Sequence, residues 1–192
     1  MFRWLILATF VPTLTISAYF RARARRLSGT IPRRAEGGAA MALRAIVALP
    51  LFLSIVAYVI SPPLLDWSAI DLPDTVRWIG AVAGLLCIPS AWWLFRSIGA
   101  NVSETVLTKE HHQLVTIGPY RWVRHPLYAT GGLLLIAAGL MASNWFVLLL
   151  AVVALVLVRI VVVPAEERNL IARFGDAYRD YRRRTGALLP RL

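Results

Sequence analysis

Apolar residues fall along this chain in long blocks, and polar residues gather in the stretches between them. The blocks are Phe2–Phe20, Ala42–Ile60, Thr75–Phe95, Leu127–Met141 and Trp145–Val163. At 1.5 Å per helical residue a membrane crossing takes about 20 residues. Leu127–Met141 is therefore marginal alone, and it is expected to borrow residues from Arg124–Pro126 or from Ala142–Asn144. No fixed-period repeat, low-complexity tract or glycine-serine linker interrupts the pattern. It predicts an all-α integral membrane bundle of about five transmembrane helices, followed by a cytoplasmic C-terminal amphipathic helix. Residues 1–192 form one membrane domain on this reading, with two spans and a basic loop in residues 1–60.

Composition agrees. The 192 residues are 58% hydrophobic, with a mean hydropathy of +0.65, above what a soluble domain carries. The formal net charge of +11 raises nucleic acid as a partner. The arginines, however, cluster beside the apolar blocks, so membrane lipids of the inner leaflet are the expected partner and nucleic acid is not. The single cysteine, Cys87, lies inside an apolar block and has no intramolecular disulfide partner.

Charge also orients the chain. Arg21, Arg23, Arg25, Arg26, Arg33 and Arg34 lie between the first two blocks against one acid, Glu36. Between the second and third stand Asp66, Asp71 and Asp74 with no basic residue. Basic loops mark the cytoplasmic side. The amino terminus is then outside, 96–126 is inside, Ala142–Asn144 is an outer turn, and the tail from Pro164 is inside. The expected location is the inner membrane. Phe2–Phe20 has its positive charge mostly behind it, whereas a secretory signal carries charge in front, so the block is expected to stay as an anchor.

Two polar segments flank the hairpin of the last two blocks and must meet on one face of the membrane. The first contains "GPYRWVRHPLY", residues 118–128. Pro126 suits a first helical position, where its missing N–H would have had no partner. The amides of Leu127 and Tyr128 are then expected to point unpaired at the loop, an arrangement that attracts an anion. His125 and Tyr128 share a helical face. Against this stands plain membrane-boundary anchoring, most of all for Arg121, Trp122 and Arg124. A metal centre from His111, His112 and His125 is not expected, since no cysteine is near and the first two are adjacent.

The second segment, "PAEERNLIARFGDAYRDYRRR", places Leu170, Ile171, Phe174 and Tyr178 on one face among arginines. That predicts an interfacial helix lying on the membrane. Glu166 and Glu167 follow directly on a span and call for a cation, which neighbouring arginines or a ligand would supply. Arg159 lies inside the last block, about 6 Å from its end, and either snorkels to headgroups or takes part in function. It is seven residues from Glu166, which is two turns on one face if Pro164 does not bend the helix.

"HHQLVTIGPYRWVRHPLY", followed across one hairpin by "EERNLIARFGDAYRDY", resembles the isoprenylcysteine carboxyl methyltransferase family. The related membrane phospholipid N-methyltransferases carry a similar pattern. The resemblance covers residues 97–192. It implies a methyltransferase core that binds S-adenosyl-L-methionine at the cytoplasmic ends of the last two spans. Matched to the motif, His112, Gln113, Leu114, Val115, Tyr120, His125, Pro126, Leu127, Tyr128 and Glu166 would line the cofactor. The eukaryotic prenylcysteine enzymes carry a substrate arginine one turn before the glutamate. Val162 stands there in this chain, a departure that bears on prenylcysteine as acceptor and not on methyl transfer.

Function is thus expected to be methyl transfer to a lipophilic small molecule or lipid, as carboxylate or thiolate. A carboxylate is already ionised at neutral pH and needs no base. An amine would need one, and Glu167 is the first candidate. Arg159 is expected to meet an acidic acceptor. The rival readings are phospholipid N-methylation and a non-catalytic transporter or assembly factor, although a transporter should show repeat symmetry.

Overall fold

The computed structural model describes residues 1–28, 38–99 and 114–191. His111, His112 and Gln113 lie outside the described residues. In chain order the helices are α1 (Phe2–Ser28), α2 (Gly38–Ile60), α3 (Asp74–Ile98), α4 (Pro126–Ala142), α5 (Trp145–Leu157), α6 (Val163–Phe174) and α7 (Asp176–Arg184). Short 3-10 turns occupy Pro62–Ser68 and Gly118–Arg121. Among the described residues there is no strand, only isolated bridges between Ala69 and Asn144 and between Val123 and Gly186.

Among the described residues, three helical stretches are long and apolar enough to cross a membrane: Phe2–Arg26, Asp74–Ile98 and Trp145–Phe174. Ala45–Ile60 and Pro126–Ala142 are shorter apolar helices. The fourth block takes up Pro126 and Ala142 at its ends, as its length required. The protein is an all-helical integral membrane protein.

Packing is closest between α3 and α4. A Cβ added at Gly80 would sit 2.8 Å from Leu140 Cβ and 3.0 Å from the Ala137 carbonyl oxygen. Only glycine lets the two backbones approach this far, a common device between apolar helices in lipid. The core holds Phe2, Ile6, Leu51, Ile55, Ala137 and Met141. Towards the other end Phe20 stacks on Phe95, with centroids 5.8 Å apart and planes at 9°.

Polar contacts pin the end where α4 turns into α5. Asn144 caps α5 by accepting from the Val147 amide at 3.0 Å. Its amide group donates to Ser68 Oγ at 2.8 Å and to the Leu65 carbonyl at 3.2 Å. Arg77 donates to the Met141 carbonyl from Nε and Nη2 at 3.3 and 3.2 Å, and lies 3.9 Å from the centre of the Phe2 ring. That one side chain ties α1, α3 and α4 together.

The rod that begins at Trp145 is not a uniform α-helix. Val158–Val162 form a π-turn, in which the Val163 amide reaches back to the Val158 carbonyl. Pro164 follows immediately. Its ring has no N–H and crowds the carbonyl four residues earlier, which loosens the ladder upstream. The apolar part of the rod ends at Val163, and the polar α6 continues past it.

The expected single amphipathic tail helix is corrected. Gly175, at φ +55°, breaks it into α6 and α7, a backbone conformation that costs glycine little. The break turns α7 inward, so Tyr178 and Tyr181 are buried rather than spread on a membrane surface.

Asn144→Ala should remove the cap and strip the Ser68 hydroxyl and the Leu65 carbonyl of one of their two buried partners, leaving them only their bond to each other. The expected loss is about 2–4 kcal/mol. A lowered thermal unfolding midpoint in detergent checks it, with Asn144→Ser recovering part because serine also caps.

Candidate active site

The start of α4 and the start of α6 meet at the end of the bundle opposite Asn144. Arg124 and His125 come from the segment entering α4, and Glu166 and Glu167 from the first turn of α6. Arg124 Nε donates to Glu167 Oε1 at 2.7 Å, with side chains only 9% and 8% exposed. Arg124 Nη1 also donates to the carbonyls of Thr185 and Arg182. Arg182 Nε lies 3.3 Å from the second oxygen, Glu167 Oε2.

His125 is 4% exposed and lies between the two acids. Nδ1 is 3.5 Å from Glu166 Oε2, and Nε2 is 3.4 Å from Glu167 Oε1. Burial alone would lower the imidazole pKa. Hydrogen bonding to Glu166 and Glu167, together with their charges, outweighs burial and raises it. The Glu167 carboxyl shows the converse. Burial pushes it up, but hydrogen bonds from His125 and Arg124 and their charges hold it at about 2.

The chain beyond α7 completes the cluster. The amides of Arg124 and His125 donate to the carbonyls of Gly186 and Ala187 at 2.8 and 3.0 Å. Tyr181 donates its hydroxyl to the Tyr120 carbonyl at 2.6 Å. Burial raises the pKa of Tyr120, Tyr178 and Tyr181, so all three keep their protons. Among the described residues, the buried Glu166 Oε2 has only the long 3.5 Å approach of His125 Nδ1 for a donor.

The residues expected to line a cofactor divide as follows. Tyr120, His125, Tyr128 and Glu166 gather around this cluster, with His125 and Tyr128 stacked at 5.9 Å, whereas Leu127 packs against the Phe20–Phe95 group and Pro126 borders a neighbouring cavity beside Trp93. Leu114 and Val115 are half-buried in the extended stretch before Gly118. The pair of free amides is corrected to one: the Tyr128 amide donates to the His125 carbonyl at 3.1 Å, because the first turn of α4 closes tightly on its cap.

Two further expectations change. Arg159 does not share a face with Glu166. The π-turn inserts one residue per turn beyond the α-helix, a rotation of about 100°, and Arg159 emerges exposed beside Ile160. Glu167 is not suited to be a base, since a carboxylate at about pKa 2 binds a proton too weakly at neutral pH. It is the anchor of the cluster. Sequence reasoning set Arg124 aside as an anchoring residue and gave no role to Arg182 or Gly186. Only its position beside His125 marked Arg124, and no local signal marked the others.

The cluster sets a pH window. Glu167 is depressed from an ordinary 4.5 to about 2, so its contribution to stability is complete above 4.5 and lost as pH falls towards 2. His125 is raised from an ordinary 6.5, so its contribution is complete below 6.5 and lost as pH climbs through the raised value. Thermal midpoints measured against pH should fall on both sides of this plateau. His125→Gln should flatten the alkaline limb and shrink the acid limb to the part that Arg124 holds.

Comparison with known proteins now has a site to refer to. Residues 76–177 match the family model described as phospholipid methyltransferase. A methanethiol S-methyltransferase of Mycobacterium tuberculosis is 38% identical over 71 residues, which is 37% of this chain and 28% of that protein. Methanethiol S-methyltransferase 2 of Bradyrhizobium diazoefficiens is 44% identical over 73 residues, 38% and 27% of the two chains. The cobalt-zinc-cadmium resistance protein CzcN of Cupriavidus metallidurans is 36% identical over 84 residues, 44% and 38% of the two. The matched stretches thus span well under half the length of these relatives. Among solved structures, the eukaryotic intramembrane Ras methyltransferase (isoprenylcysteine carboxyl methyltransferase) superposes with a TM-score of 0.57 at 18% identity, covering 97% of this chain and 67% of that one. With its membrane fold shared with that enzyme and its family model matched over 76–177, the chain belongs to the phospholipid methyltransferase family.

Proposed function

We propose that this chain transfers a methyl group from S-adenosylmethionine to a lipophilic thiolate or carboxylate at the cytoplasmic face of the inner membrane. Five spans with the amino terminus outside put the Arg124–Glu167 cluster on that face, and residues 97–192 form the catalytic core. The observation that carries the reading is the cluster itself. It joins the two motif halves and, among the described residues, leaves the buried Glu166 Oε2 with only a long 3.5 Å contact to His125 Nδ1.

The residues fit the cofactor. When bound, S-adenosylmethionine supplies an electrophilic methyl group on a sulfonium sulfur. This Glu166 oxygen suits an N–H-bearing or cationic part of it, the Leu127 amide suits its carboxylate, and the Tyr128 ring beside His125 offers a flat apolar wall. Leu114, Val115, Tyr120 and Pro126 would complete the lining on this reading, with His112 and Gln113 outside the described residues.

The acceptor follows from what the site lacks. An amine is protonated at neutral pH and must lose a proton, yet Glu167 is already committed to Arg124, His125 and Arg182. A carboxylate needs no such base, and a thiol, at about pKa 8.5 against about 10.4 for an amine, gives up its proton to water more readily, so positioning carries most of the rate. The methanethiol enzymes among its relatives favour sulfur. This ranks phospholipid N-methylation second. Arg159, exposed among apolar residues, reaches the headgroup layer on this reading and does not meet the acceptor.

Glu166→Gln should weaken S-adenosylmethionine binding about ten- to a hundredfold, the worth of one charge-assisted hydrogen bond, with the protein still folded and its unfolding midpoint lowered only by the weakened contact to His125. Calorimetry on purified protein measures this, and equal affinity would remove Glu166 from the cofactor site. The topology has its own test: a cysteine placed near Arg25 should react with an impermeant maleimide only after the inner face is opened. Labelling from outside would invert the arrangement.

A further inference from the structure

A second feature lies on the other side of the segment that enters α4. Arg124 and His125 turn towards the carboxylates, whereas Val123 and Pro126, on either side of them, line a cavity of about 250 Å³. Trp93 on α3 and Trp122 wall it, with their rings 5.6 Å apart and edge to face at 67°. Ala129 and Thr130, one turn into α4, form its floor.

Among the described residues, no charged side chain lines this cavity. The nearest cations are committed elsewhere: Arg124 to Glu167, and Arg121 stacked 4.5 Å from the centre of the Trp122 ring. Of its polar side chains, Ser90 already donates to the Leu86 carbonyl at 2.7 Å. A bare charge buried there would go uncompensated, which argues against a carboxylate or a phosphate headgroup. The volume is below the roughly 300–1,000 Å³ of pockets for drug-sized ligands, too little to enclose a diacyl lipid or a long prenyl chain. Two indole faces favour a polarisable sulfur atom.

We infer that this cavity is the acceptor chamber and that its occupant is a small, uncharged alkyl thiol. The inference rests on the methyl-transfer reading and narrows it. The thiol enters neutral and loses its proton to water as it reaches the polar side at His125. It then uses the freed lone pair to bond the methyl carbon, leaving the old carbon–sulfur electron pair on the cofactor's sulfur. One thioether and one proton result. The Arg124–His125 segment is the partition between a charged cofactor side and an uncharged acceptor side.

The experiment uses the full chain in detergent with two readouts. A small diazirine-bearing thiol is photolysed on the protein and the labelled peptides are mapped. Methyl transfer is measured over a series of straight-chain alkanethiols. Ala129→Phe, which fills the chamber, should abolish labelling at the peptides holding Trp93 and Trp122. It should also reduce thiol methylation by about tenfold or more, as expected for a few lost methylene-sized contacts, while S-adenosylmethionine affinity stays within about twofold. Trp93→Ala, which enlarges the chamber, should shift preference to longer thiols, so the proposal does not depend on one variant folding. Labelling that survives Ala129→Phe, or an unchanged chain-length preference in Trp93→Ala, overturns the acceptor role. Methylation of an acidic lipid that Ala129→Phe leaves untouched overturns it while methyl transfer stands. Wild-type protein that binds no S-adenosylmethionine ends both readings.

Discussion

The buried pair between Arg124 and Glu167 is the contact on which this end of the molecule depends. Taking two charges out of water costs several kcal/mol per ion unless the rest of their bonding capacity is met. Here it is met: Arg124 also donates to the carbonyls of Thr185 and Arg182, and Glu167 also faces His125 and Arg182. The pair therefore fixes three segments at once, namely the entrance to α4, the first turn of α6 and the stretch after α7. Removing one partner would leave an isolated buried charge, which is far costlier than losing the pair as a whole.

The opposite end is pinned by different chemistry. Asn144 and Arg77 satisfy carbonyls and amides left by the tight turn between α4 and α5, where backbone groups near lipid must find partners in the protein. Between the two ends α3 and α4 lie in close contact through Gly80. The cluster thus sits on helices held at both ends. Such a base positions a reacting group better than a free loop does.

Neighbouring residues acquire different work from their surroundings. Glu167 is enclosed by cations and stays ionised as an anchor. Glu166, one residue earlier, keeps a buried oxygen that among the described residues meets only His125 Nδ1, at a long 3.5 Å. The same contrast runs along 123–126, where the two inner side chains face a charged cluster and the two outer ones an uncharged cavity. Under the proposed methyl transfer, such a division would seat a charged cofactor and an uncharged acceptor on opposite sides of one short segment.

Much of the architecture is legible in the chain. The apolar blocks give the helices because the bilayer demands about 20 apolar residues and internal hydrogen bonding, and Pro126 marks the start of α4 by its own geometry. The motif from Tyr120 to Tyr128, with Glu166 across the hairpin, announces a site. Other features had to wait for tertiary contacts. The π-turn that swings Arg159 away from Glu166 depends on how Pro164 is accommodated. The inward fold of α7 needs Gly175 at positive φ and an aromatic seat for Tyr178 and Tyr181. Arg124 read as a boundary arginine because its partners lie 43 residues or more ahead in sequence, and no local spacing encodes such pairings. The sequence determined which segments cross the membrane and which residue types meet at their ends. The tertiary structure alone decided which acid is neutralised, which keeps an open oxygen and where the uncharged cavity lies, because burial and pairing are properties of neighbours in space.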